Sequence, residues 1–453
     1  MPATRLISIS RRVRCAEPLA ALLARTDGDF GACFEHPTSG TAFAGVGAAW
    51  HAVFHGKERF RRARDAANTL MANAIFDGDV RESPAMMHFF AAFSFENDAP
   101  EDAPFAPGNV FLPRWQIVRS GEQCFLVKNN LVRSDITRSE IAAIVNAANG
   151  DALASELRLD DAPLRLRSLL DAQRVAPVFT EEGGSWFSAG VADVLRRISN
   201  GDARKIVLAR RLRATAPIPF SIPATFARLR ETFPPCHTFA FACGADRIFT
   251  GSTPECLVDV AGGILNTEAI AGSAPRPTPH AAPEPLAACL LADAKERREH
   301  TTVVETILAS LRTLGIEARA ADRAHCLALP YILHLRTPLR ASVSNKIHLL
   351  DIAAALHPTS ATGGVPTAAA LDAIRSLEPN PRSLYAGTLG WFDAAGEGRL
   401  LVGLRSALIS GNDALLFAGA GIVAGSLPSR ELAETQAKFR AMADALVAPL
   451  IKS

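Results

Sequence analysis

The sequence predicts an α+β fold in which groups of antiparallel strands have helices packed outside them. Short runs rich in β-branched and aromatic residues, separated by turn residues, recur in residues 205–260 and again in residues 384–423. Two long segments, residues 284–313 and 430–447, instead repeat apolar residues at helical spacing. Strands that follow one another through short turns pair antiparallel, so these observations do not favour a doubly wound parallel sheet.

The predicted strands form two groups along the chain. In the first group, KIVLARRL (205–212) is followed by the short runs HTFAFAC (237–243), RIFTG (247–251) and CLVDV (256–260). In the second group, residues 384–423 are predicted to contain three strands joined by the glycine-containing turns DAAGEG and SGND. Such a succession of strands and tight turns is typical of a β-meander.

The helices are predicted from two apolar stripes and the loops from proline. The first helix is expected from Glu284 to about Thr313, and the second from Arg430 to Val447. Residues 96–114, rich in Pro, Asp and Ala, indicate a long surface loop or hairpin excursion. Residues 274–285 contain five prolines, which exclude regular structure and indicate an exposed connection into the first helix.

Composition narrows the class of protein. The 453 residues are 48% hydrophobic and 21% charged, enough to bury a large core, and the net charge of +2 comes from basic residues scattered among acids. No nucleic-acid partner is therefore expected. The eight cysteines include no CxxC pair, which favours small buried hydrophobes in a reducing compartment. No run of about 18 apolar residues occurs, and the N-terminal apolar stretches are too short for a signal peptide, so we expect no membrane association and a cytoplasmic protein.

Carboxylates recur on the buried sides of both predicted helices. Glu296 and Glu299 lie three residues apart, and Glu299 is one turn before Val303 on the apolar stripe. Glu431 and Glu434 repeat this spacing and share a face with Lys438. Two helices that each offer carboxylates to one cavity would suit a hard divalent cation, and oxygen-only ligands favour Mg²⁺. The alternatives are a solvated charged face on the first helix and a simple Glu434–Lys438 ion pair on the last.

Two further residues suit proton transfer. Lys205 precedes apolar residues, and burial of its amine would favour the neutral form that a general base requires. Glu255 follows Pro254 at the start of a strand, where an apolar setting would raise the pKa of a carboxyl group and suit it to act as a general acid. The alternatives are a surface lysine at a strand edge and a plain turn residue.

The glycine-rich segment FAGAGIVAGS (417–426) does not indicate a nicotinamide site. It is GxGxxxG in place of GxGxxG, and too few residues follow it for a βαβ unit. The backbone N–H groups of Gly419 and Gly421 are nevertheless suited to a carboxylate, because glycine allows a ligand to approach the backbone closely.

Nine stretches in order along the chain resemble the chorismate-utilising family, which comprises isochorismate, salicylate, anthranilate and aminodeoxychorismate synthases. They are KIVLAR (205–210), FTGSTPECLV (249–258), TEAIAGSAPR (267–276), KERREHTTVV (295–304), LHPTSATGGVP (356–366), YAGTLGWFD (385–393), VGLRSALI (402–409), FAGAGIVAGSLP (417–428) and ELAETQAKF (431–439). The matches cover most of residues 200–440, and their order is far more specific than any one of them.

The resemblance implies an α+β, anthranilate synthase component I-like fold: a large antiparallel β-sandwich with helices packed outside and the active site in a cleft. Residues 186–453 would be the chorismate-binding catalytic region, and residues 1–185 a variable part packed into the same fold. The protein is expected to be monomeric. Mg²⁺ would be bound by Glu299 and Glu434, with support from Glu296 and Glu431. Residues that would contact chorismate are Gly272, Ser273, His334, Ala361, Tyr385, Arg405, Gly419, Gly421 and Lys438.

The chemistry favours the isochorismate synthase branch. Water must attack C2 of chorismate while the C4 hydroxyl leaves, so Lys205 would act as the base and Glu255 as the acid. The ammonia-using relatives resemble one another in placing Gln at the position of Lys205, and aminodeoxychorismate synthases often have Lys at the position of Ala271. We therefore expect an isomerase, a magnesium-dependent isochorismate synthase. Its product can lead to siderophores, menaquinone or salicylate.

Two alternatives remain open at this point. Salicylate synthases keep the lysine and then eliminate pyruvate from isochorismate. They typically have Thr at the position of Ala361, which favours isochorismate as the product here, although Thr362 stands where isochorismate synthases usually place Leu or Val. The more remote alternative is a catalytically silent chorismate-binding paralogue, against which the presence of Lys205, Glu255, Glu299 and Glu434 together argues.

Overall fold

The computed structural model describes residues 4–13, 17–18, 29–78, 86–148, 162–182, 184–244, 246–276, 282–344 and 346–450. The strands are β1 (Thr4–Val13), β2 (Gly31–His36), β3 (Thr41–Phe54), β4 (Ile75–Gly78), β5 (His88–Phe93), β6 (Gly108–Ser120), β7 (Gln123–Arg133), β8 (Gln173–Arg174), β9 (Val178–Glu182), β10 (Lys205–Thr215), β11 (His237–Ala242), β12 (Ile248–Thr253), β13 (Cys256–Ala261), β14 (Ile264–Pro275), β15 (Arg319–Ala320), β16 (His325–Ala328), β17 (Ile332–Ser342), β18 (Gly364–Val365), β19 (Thr388–Asp393), β20 (Gly398–Val402), β21 (Ser406–Ser410), β22 (Asp413–Val423) and β23 (Pro449–Leu450). The helices are α1 (Arg59–Met71), α2 (Arg138–Ala147), α3 (Ala162–Asp171), α4 (Gly184–Ser199), α5 (Ile222–Thr232), α6 (Pro283–Ala292), α7 (Ala294–Arg312), α8 (Leu349–Leu356), α9 (Thr367–Leu377) and α10 (Pro428–Ala443).

The strands form two layers that are joined through the long strands β3 and β6. One layer runs β9-β10-β22-β21-β12-β11-β2-β3, and the other runs β6-β5-β19-β20-β13-β14-β17. Among the described residues only the β1–β4 pairing is parallel. Phe34, Phe239 and Leu208 from the first layer share one buried core with Phe90 and Leu401 from the second. The predicted α+β class with antiparallel strands is confirmed.

The helices α7 and α10 pack on strands of the sheet and carry buried acidic residues there. α7 lies on β14, and α10 lies on β22. The buried residues of α7 include Glu299, His300 and Val303, whereas those of α10 include Glu431 and Phe439. Both helices therefore bury carboxylates on the same faces as their apolar residues, against neighbouring strands of the two layers.

The first predicted helix is in fact two helices. The chain leaves helical geometry at Asp293, whose ψ of 118° ends α6, and the Asp293 side chain accepts hydrogen bonds from the backbone of Lys295 and Glu296 at the start of α7. Aspartate is a favoured helix-capping residue because it satisfies the free N–H groups of the first turn. The prediction of one continuous helix from Glu284 to Thr313 was therefore wrong at this residue.

Other boundaries also differ from those predicted. Residues 388–423 contain four strands and not three, because the chain turns between β20 and β21 at residues 403–405, which hold no typical turn dipeptide. The last helix ends at Ala443, four residues early. The predicted loop over residues 96–114 gives way to β6 at Gly108. Of the predicted connection at 274–285, residues 277–281 lie outside the described residues.

The remaining expectations concern membranes and cysteines. No helix in the described part of the chain is long and apolar enough to cross a membrane. Most of the described cysteines are buried or half-buried, as expected, but Cys289 on α6 is exposed. The division of the chain at residue 185 stays a prediction.

Candidate active site

Most of the predicted site residues line one cavity of about 660 Å³ between α7, α10 and the strands β10, β14, β17 and β22. They are Glu255, Gly272, Ser273, Glu299, His334, Ala361, Tyr385, Arg405, Gly419, Gly421, Glu434 and Lys438. A second cavity of about 1030 Å³ is lined by Glu296 and Glu431. It also shares Ser273 and Glu434 with the first, so the two spaces are neighbours.

Lys205 lines neither of these cavities. Its side chain is fully buried, and its Nζ lies 2.9 Å from Glu299 Oε1, between the strand β10 and the cavity wall. Burial alone would raise the pKa of Glu299, but Lys205 and Lys295 outweigh burial and lower it. Glu299 is therefore ionised at neutral pH and stands between the Lys205 amine and the cavity.

Gly421 makes room for this ion pair. A Cβ at Gly421 would overlap Glu299 Oε1 and would lie 2.9 Å from Lys205 Cε. No other residue type lacks a Cβ, so the close approach of the carboxylate and the lysine stem to β22 requires glycine. The charged pair and the glycine come from three separate elements, α7, β10 and β22.

The register of β10 and β22 leaves two backbone N–H groups free to face the cavity. Val207 pairs with Gly421 and Ala209 with Gly419. Val207 and Ala209 donate their N–H groups elsewhere, to Gly363 O and to a carboxylate oxygen of Glu378. In an antiparallel pair, two residues that face each other either exchange hydrogen bonds or both point their N–H groups outward. Because Val207 and Ala209 point theirs away from β22, Gly421 and Gly419 point theirs away from β10, toward the opposite edge of β22. β21 covers that edge only up to Leu416.

A second lysine lies among the remaining carboxylates. Lys295 Nζ is 3.0 Å from Glu296 Oε1, 3.3 Å from Glu431 Oε1 and 3.9 Å from Glu299 Oε2. Burial and the repulsion of Glu434 raise the pKa of Glu431 to about 7, and burial raises the pKa of Glu296. These carboxylates are thus close enough to repel one another even with a cation between them.

The third lysine joins α10 to β22. Lys438 Nζ donates to Glu434 Oε1 at 2.5 Å and to the carbonyl oxygen of Gly419 at 2.7 Å. The Glu434–Lys438 ion pair that was considered as a plain surface pair is present, but both side chains are largely buried at the cavity wall. Within KERREH (295–300), the charged-face alternative for α7 holds only for Arg297 and Arg298, which are exposed.

Glu255 is also a buried carboxyl group, but its protonation state differs from that of Glu299. Burial, with the negative charge of Glu268, raises the pKa of Glu255 to about 8, and Lys205 and a hydrogen bond with Thr359 only partly oppose this. Glu268 is held in place because it accepts hydrogen bonds from Cys256 N at 3.0 Å and from Arg336 Nε. At neutral pH Glu255 therefore carries a proton that it can donate.

The cation Arg405 and its hydrogen-bond partner His334 form one wall of the cavity. Arg405 donates to His334 Nε2 at 2.6 Å, and His334 Nδ1 lies 2.9 Å from Ser273 Oγ. Because arginine cannot accept a hydrogen bond, the proton of the neutral imidazole is on Nδ1, which donates to Ser273 Oγ. Burial, with Arg405 and Lys438, holds the pKa of His334 well below its usual value, so the ring stays neutral.

A bulge in β14 places Ser273 opposite His334. The register between β14 and β17 shifts between Ala271 and Ser273, and Gly272 at the shift has a φ of +76°, which glycine adopts without strain. The bulge also directs the Ser273 N–H to Glu296 Oε2, at 2.8 Å. Gly272 thus links the substrate cavity to the carboxylates of α7.

Tyr385 closes the opposite side. Its ring stacks on Phe417 with centroids 5.3 Å apart, and burial raises the pKa of Tyr385 to about 12, so the hydroxyl keeps its proton. A Cβ at Gly419 would lie 3.0 Å from the Tyr385 hydroxyl oxygen. The phenol therefore lies against the glycine backbone that faces the cavity.

Sequence reasoning missed three residues of the site. Lys295 was noted only as part of a charge run, and Thr359, which bonds Glu255, was not considered. Arg382 is buried, pairs with Glu378 and donates to Thr362 O and Val207 O at 2.7 Å each. It therefore ties the loop that holds Ala361 to β10. The surrounding NPRSL sequence looks like an ordinary loop and gave no signal of burial.

The carboxylate oxygens of the site are the type of ligand that a hard divalent cation prefers. Glu296, Glu299, Glu431 and Glu434 supply four carboxyl groups, and Lys205, Lys295 and Lys438 pair with them. Among the described residues, however, no three acidic, histidine or cysteine side chains gather closely enough to hold a metal as they stand. Three of the carboxylates that would bind a metal, those of Glu296, Glu299 and Glu431, instead lie around the ammonium of Lys295.

Comparisons with known proteins identify the family of the chain. A family model for chorismate binding enzymes matches residues 2–447. The chain is 33% identical to the salicylate biosynthesis isochorismate synthase of Pseudomonas aeruginosa, over 90% of this chain and 83% of that protein, and 28% identical to the isochorismate synthase MenF of Bacillus subtilis, over 97% and 93%. The solved menaquinone-specific isochorismate synthase of Escherichia coli superposes with a TM-score of 0.75 at 25% identity, covering 98% of this chain and 95% of that one. The chain therefore belongs to the family of chorismate-binding enzymes.

Proposed function

We propose that the protein is an isochorismate synthase, an isomerase that converts chorismate to isochorismate with Mg²⁺ bound in the cavity. Relatives that match most of the chain are isochorismate synthases by name. The observation that carries the proposal is the pairing in one site of a buried, protonated Glu255 with a buried Lys205. The reaction needs one group to donate a proton and another to accept one.

Glu255 is the proposed general acid. The C4 hydroxyl of chorismate leaves as water only if it is protonated as the bond breaks. A carboxyl group with a pKa of about 8 holds its proton at neutral pH yet gives it up more readily than water does. A hydrogen bond with Thr359 holds this carboxyl group at the wall of the cavity that it lines.

Lys205 is the proposed general base for the attacking water. In the structure its amine is paired with Glu299, so it can act as a base only once that ion pair is broken. Mg²⁺ held by Glu299 and Glu434, with Glu296 and Glu431 in support, would supply the positive charge that replaces the lysine at Glu299 and would neutralise an anionic substrate. The carboxylate ligands fit this role in their chemistry.

The rest of the cavity suits the two carboxylates of chorismate. Arg405 and Lys438 supply cations, and the Gly419 and Gly421 N–H groups supply neutral donors on the exposed edge of β22. Neutral His334 accepts from Arg405 and so fixes the guanidinium in place without adding charge. Protonated Tyr385 adds a further donor beside Gly419.

One observation favours a second candidate, a salicylate synthase that goes on to eliminate pyruvate. Thr362 lines the cavity next to Ala361, and its hydroxyl is therefore at the edge of the reaction space. That hydroxyl lies 3.1 Å from Thr359 Oγ1 and donates to Thr359 O at 3.3 Å, within its own loop. Because the loop uses this donor, isochorismate is the product we expect.

The test is product analysis of the purified protein. Incubation with chorismate and Mg²⁺, followed by chromatography, should yield isochorismate, and the reaction should stop in EDTA and resume with excess Mg²⁺. Salicylate with pyruvate would identify the second candidate, and unchanged chorismate would indicate a silent paralogue. Turnover that persists in EDTA would remove the metal site. The cytoplasmic location and the monomeric state stay predictions, the latter tested by light scattering.

A further inference from the structure

Lys295 occupies the place where the carboxylates of the two helices converge. Its ammonium contacts Glu296 at 3.0 Å, Glu431 at 3.3 Å and Glu299 at 3.9 Å, so one cation serves acids from both α7 and α10. Lys205 and Lys438 each pair with only one of the four acids in this group. Lys295 is therefore the cation that joins the acids of α7 to those of α10.

The local structure gives no other reason for a lysine at this position. Lys295 is the second residue of α7, where the helix dipole favours negative charge and disfavours a cation. The Asp293 cap acts through the Lys295 backbone N–H and makes no use of the side chain. What holds the ammonium is the set of carboxylates alone.

A magnesium ion bound among these acids would compete with the ammonium for the same carboxylate oxygens of Glu296, Glu299 and Glu431. Mg²⁺ requires oxygen ligands at about 2.0–2.1 Å, whereas the carboxylates stand 3.0–3.9 Å from Lys295 Nζ. The acids must close inward around a smaller ion, and the like charge of the ammonium would then be repelled. This explains why the described residues contain the acids of a metal site but no ready set of three ligands.

The side chain has room to leave. Lys295 lines the cavity of about 1030 Å³ that also contains Asp293 and Arg430 at its wall. The Lys295 side chain is 19% exposed, so it is not sealed inside the core. A flexible four-carbon stem can move the ammonium into this space without any change in α7.

We propose that Lys295 is an internal cation that holds the carboxylates of α7 and α10 together before a divalent metal binds, and that metal binding displaces its ammonium into the neighbouring cavity. The inference rests on the proposed metal site and adds a residue that competes with the metal. Lys295 thus positions the metal ligands and is not itself a catalytic residue.

The test measures Mg²⁺ binding to the substrate-free, full-length protein by isothermal titration calorimetry. Lys295→Met removes the competing charge and should tighten Mg²⁺ binding about tenfold or more, because a like charge a few ångströms away no longer opposes the ion. Lys295→Arg keeps the charge in a bulkier group and should bind no more tightly than the wild type. Arg430→Met, which removes a cation from the wall of the same cavity, should change the affinity much less.

The outcomes separate the two proposals. Equal or weaker Mg²⁺ binding by Lys295→Met, with normal binding by the wild type, would overturn the displacement while leaving the metal site intact. Absence of binding in every variant would remove the metal site and the displacement with it. If Lys295→Met does not fold without metal, Lys295→Gln keeps hydrogen-bond donors for the acids and takes its place in the same titration.

A second measurement follows the lysine itself in the wild type. Acylation of amines, read by mass spectrometry, should modify Lys295 faster when Mg²⁺ is present, because the displaced ammonium is more exposed. Lys346, an exposed lysine far along the chain, should react at the same rate with and without Mg²⁺. A Lys295 rate that stays constant or falls while calorimetry reports bound metal would contradict displacement.

Discussion

Glu255 and Glu299 line the same cavity, both are buried, and yet they differ in charge. Glu299 has Lys205 at 2.9 Å and Lys295 at 3.9 Å, which lower its pKa. Glu255 has a hydrogen bond with Thr359 and the repulsion of Glu268, and its pKa rises to about 8. Burial is common to both, so the nearest partner decides which carboxyl group is ionised.

The comparison teaches how a single fold separates two roles. An ionised carboxylate suits a cation, whereas a protonated carboxyl group suits proton donation. The ionised Glu299 lies on α7, and the protonated Glu255 lies immediately before β13. Predictions that change the charge or the partner of either glutamate therefore test the comparison directly.

The largest effect is expected from Glu255→Gln. The amide keeps the shape of the side chain but has no acidic proton, so turnover of chorismate should fall by roughly 10²–10⁴-fold, the usual contribution of a general acid. Melting followed by circular dichroism should show a folded protein at least as stable as the wild type, because the amide has no buried proton to lose. A variant that keeps wild-type turnover would show that another group supplies the proton.

Breaking the ion pair of Glu299 should cost both activity and stability. Lys205→Met leaves Glu299 buried without its nearest cation, and loss of one partner of a buried pair costs about 3–5 kcal/mol of the free energy of unfolding. Urea denaturation without Mg²⁺ measures this loss. The double variant Lys205→Met with Glu299→Gln should recover much of the stability but none of the turnover. Equal stability of the single and double variants would mean that the pair is not the cause.

Crowding the pair is expected to have a smaller effect. In Gly421→Ala the methyl group overlaps the Glu299 carboxylate, and the φ of this residue is not in the left-handed region, so crowding is the only penalty. We expect a loss of about 1–3 kcal/mol, as for other overpacked sites, and a clear fall in turnover. Gly419→Ala, whose methyl would meet Tyr385 at 3.0 Å, is the matched control and should be milder. The reverse ranking would contradict the role assigned to Gly421.

The last effect is a change in how the free energy of unfolding depends on pH, and it arises from the titration of Glu255. Its pKa is raised from 4.5 to about 8 in the folded protein, so the stability associated with the protonated group is fully present below about 4.5 and is lost as the pH rises through 8. The free energy of unfolding should therefore fall more steeply from pH 5 to pH 8 in the wild type than in Glu255→Gln. Glu431 titrates in the same range, but it is present in both proteins and cancels. Parallel curves would place the Glu255 pKa near its ordinary value.

The sequence predicted the fold class and the positions of most strands because alternation and turn residues are local signals. It did not predict the break at Asp293, where a residue inside an apolar stripe ends one helix and caps the next. From the spacing between Glu299 and Val303, the sequence predicted that Glu299 faces inward. It did not predict that Glu299 lies between Lys205 and the cavity, because that position depends on contacts between β10, β22 and α7. Arg382 was invisible because its burial arises from partners on other elements.

The extra residue at Gly272 has a consequence for the continuity of β14. Ala271 pairs with Leu335 and Ser273 with His334, so β17 advances by one residue where β14 advances by two. The bulge therefore absorbs Gly272 without exchanging the faces of the residues that follow it, and the strand pairing continues to Pro275. A single unpaired residue thereby bends the backbone so that the Ser273 N–H reaches Glu296 while the Ser273 side chain stays opposite His334.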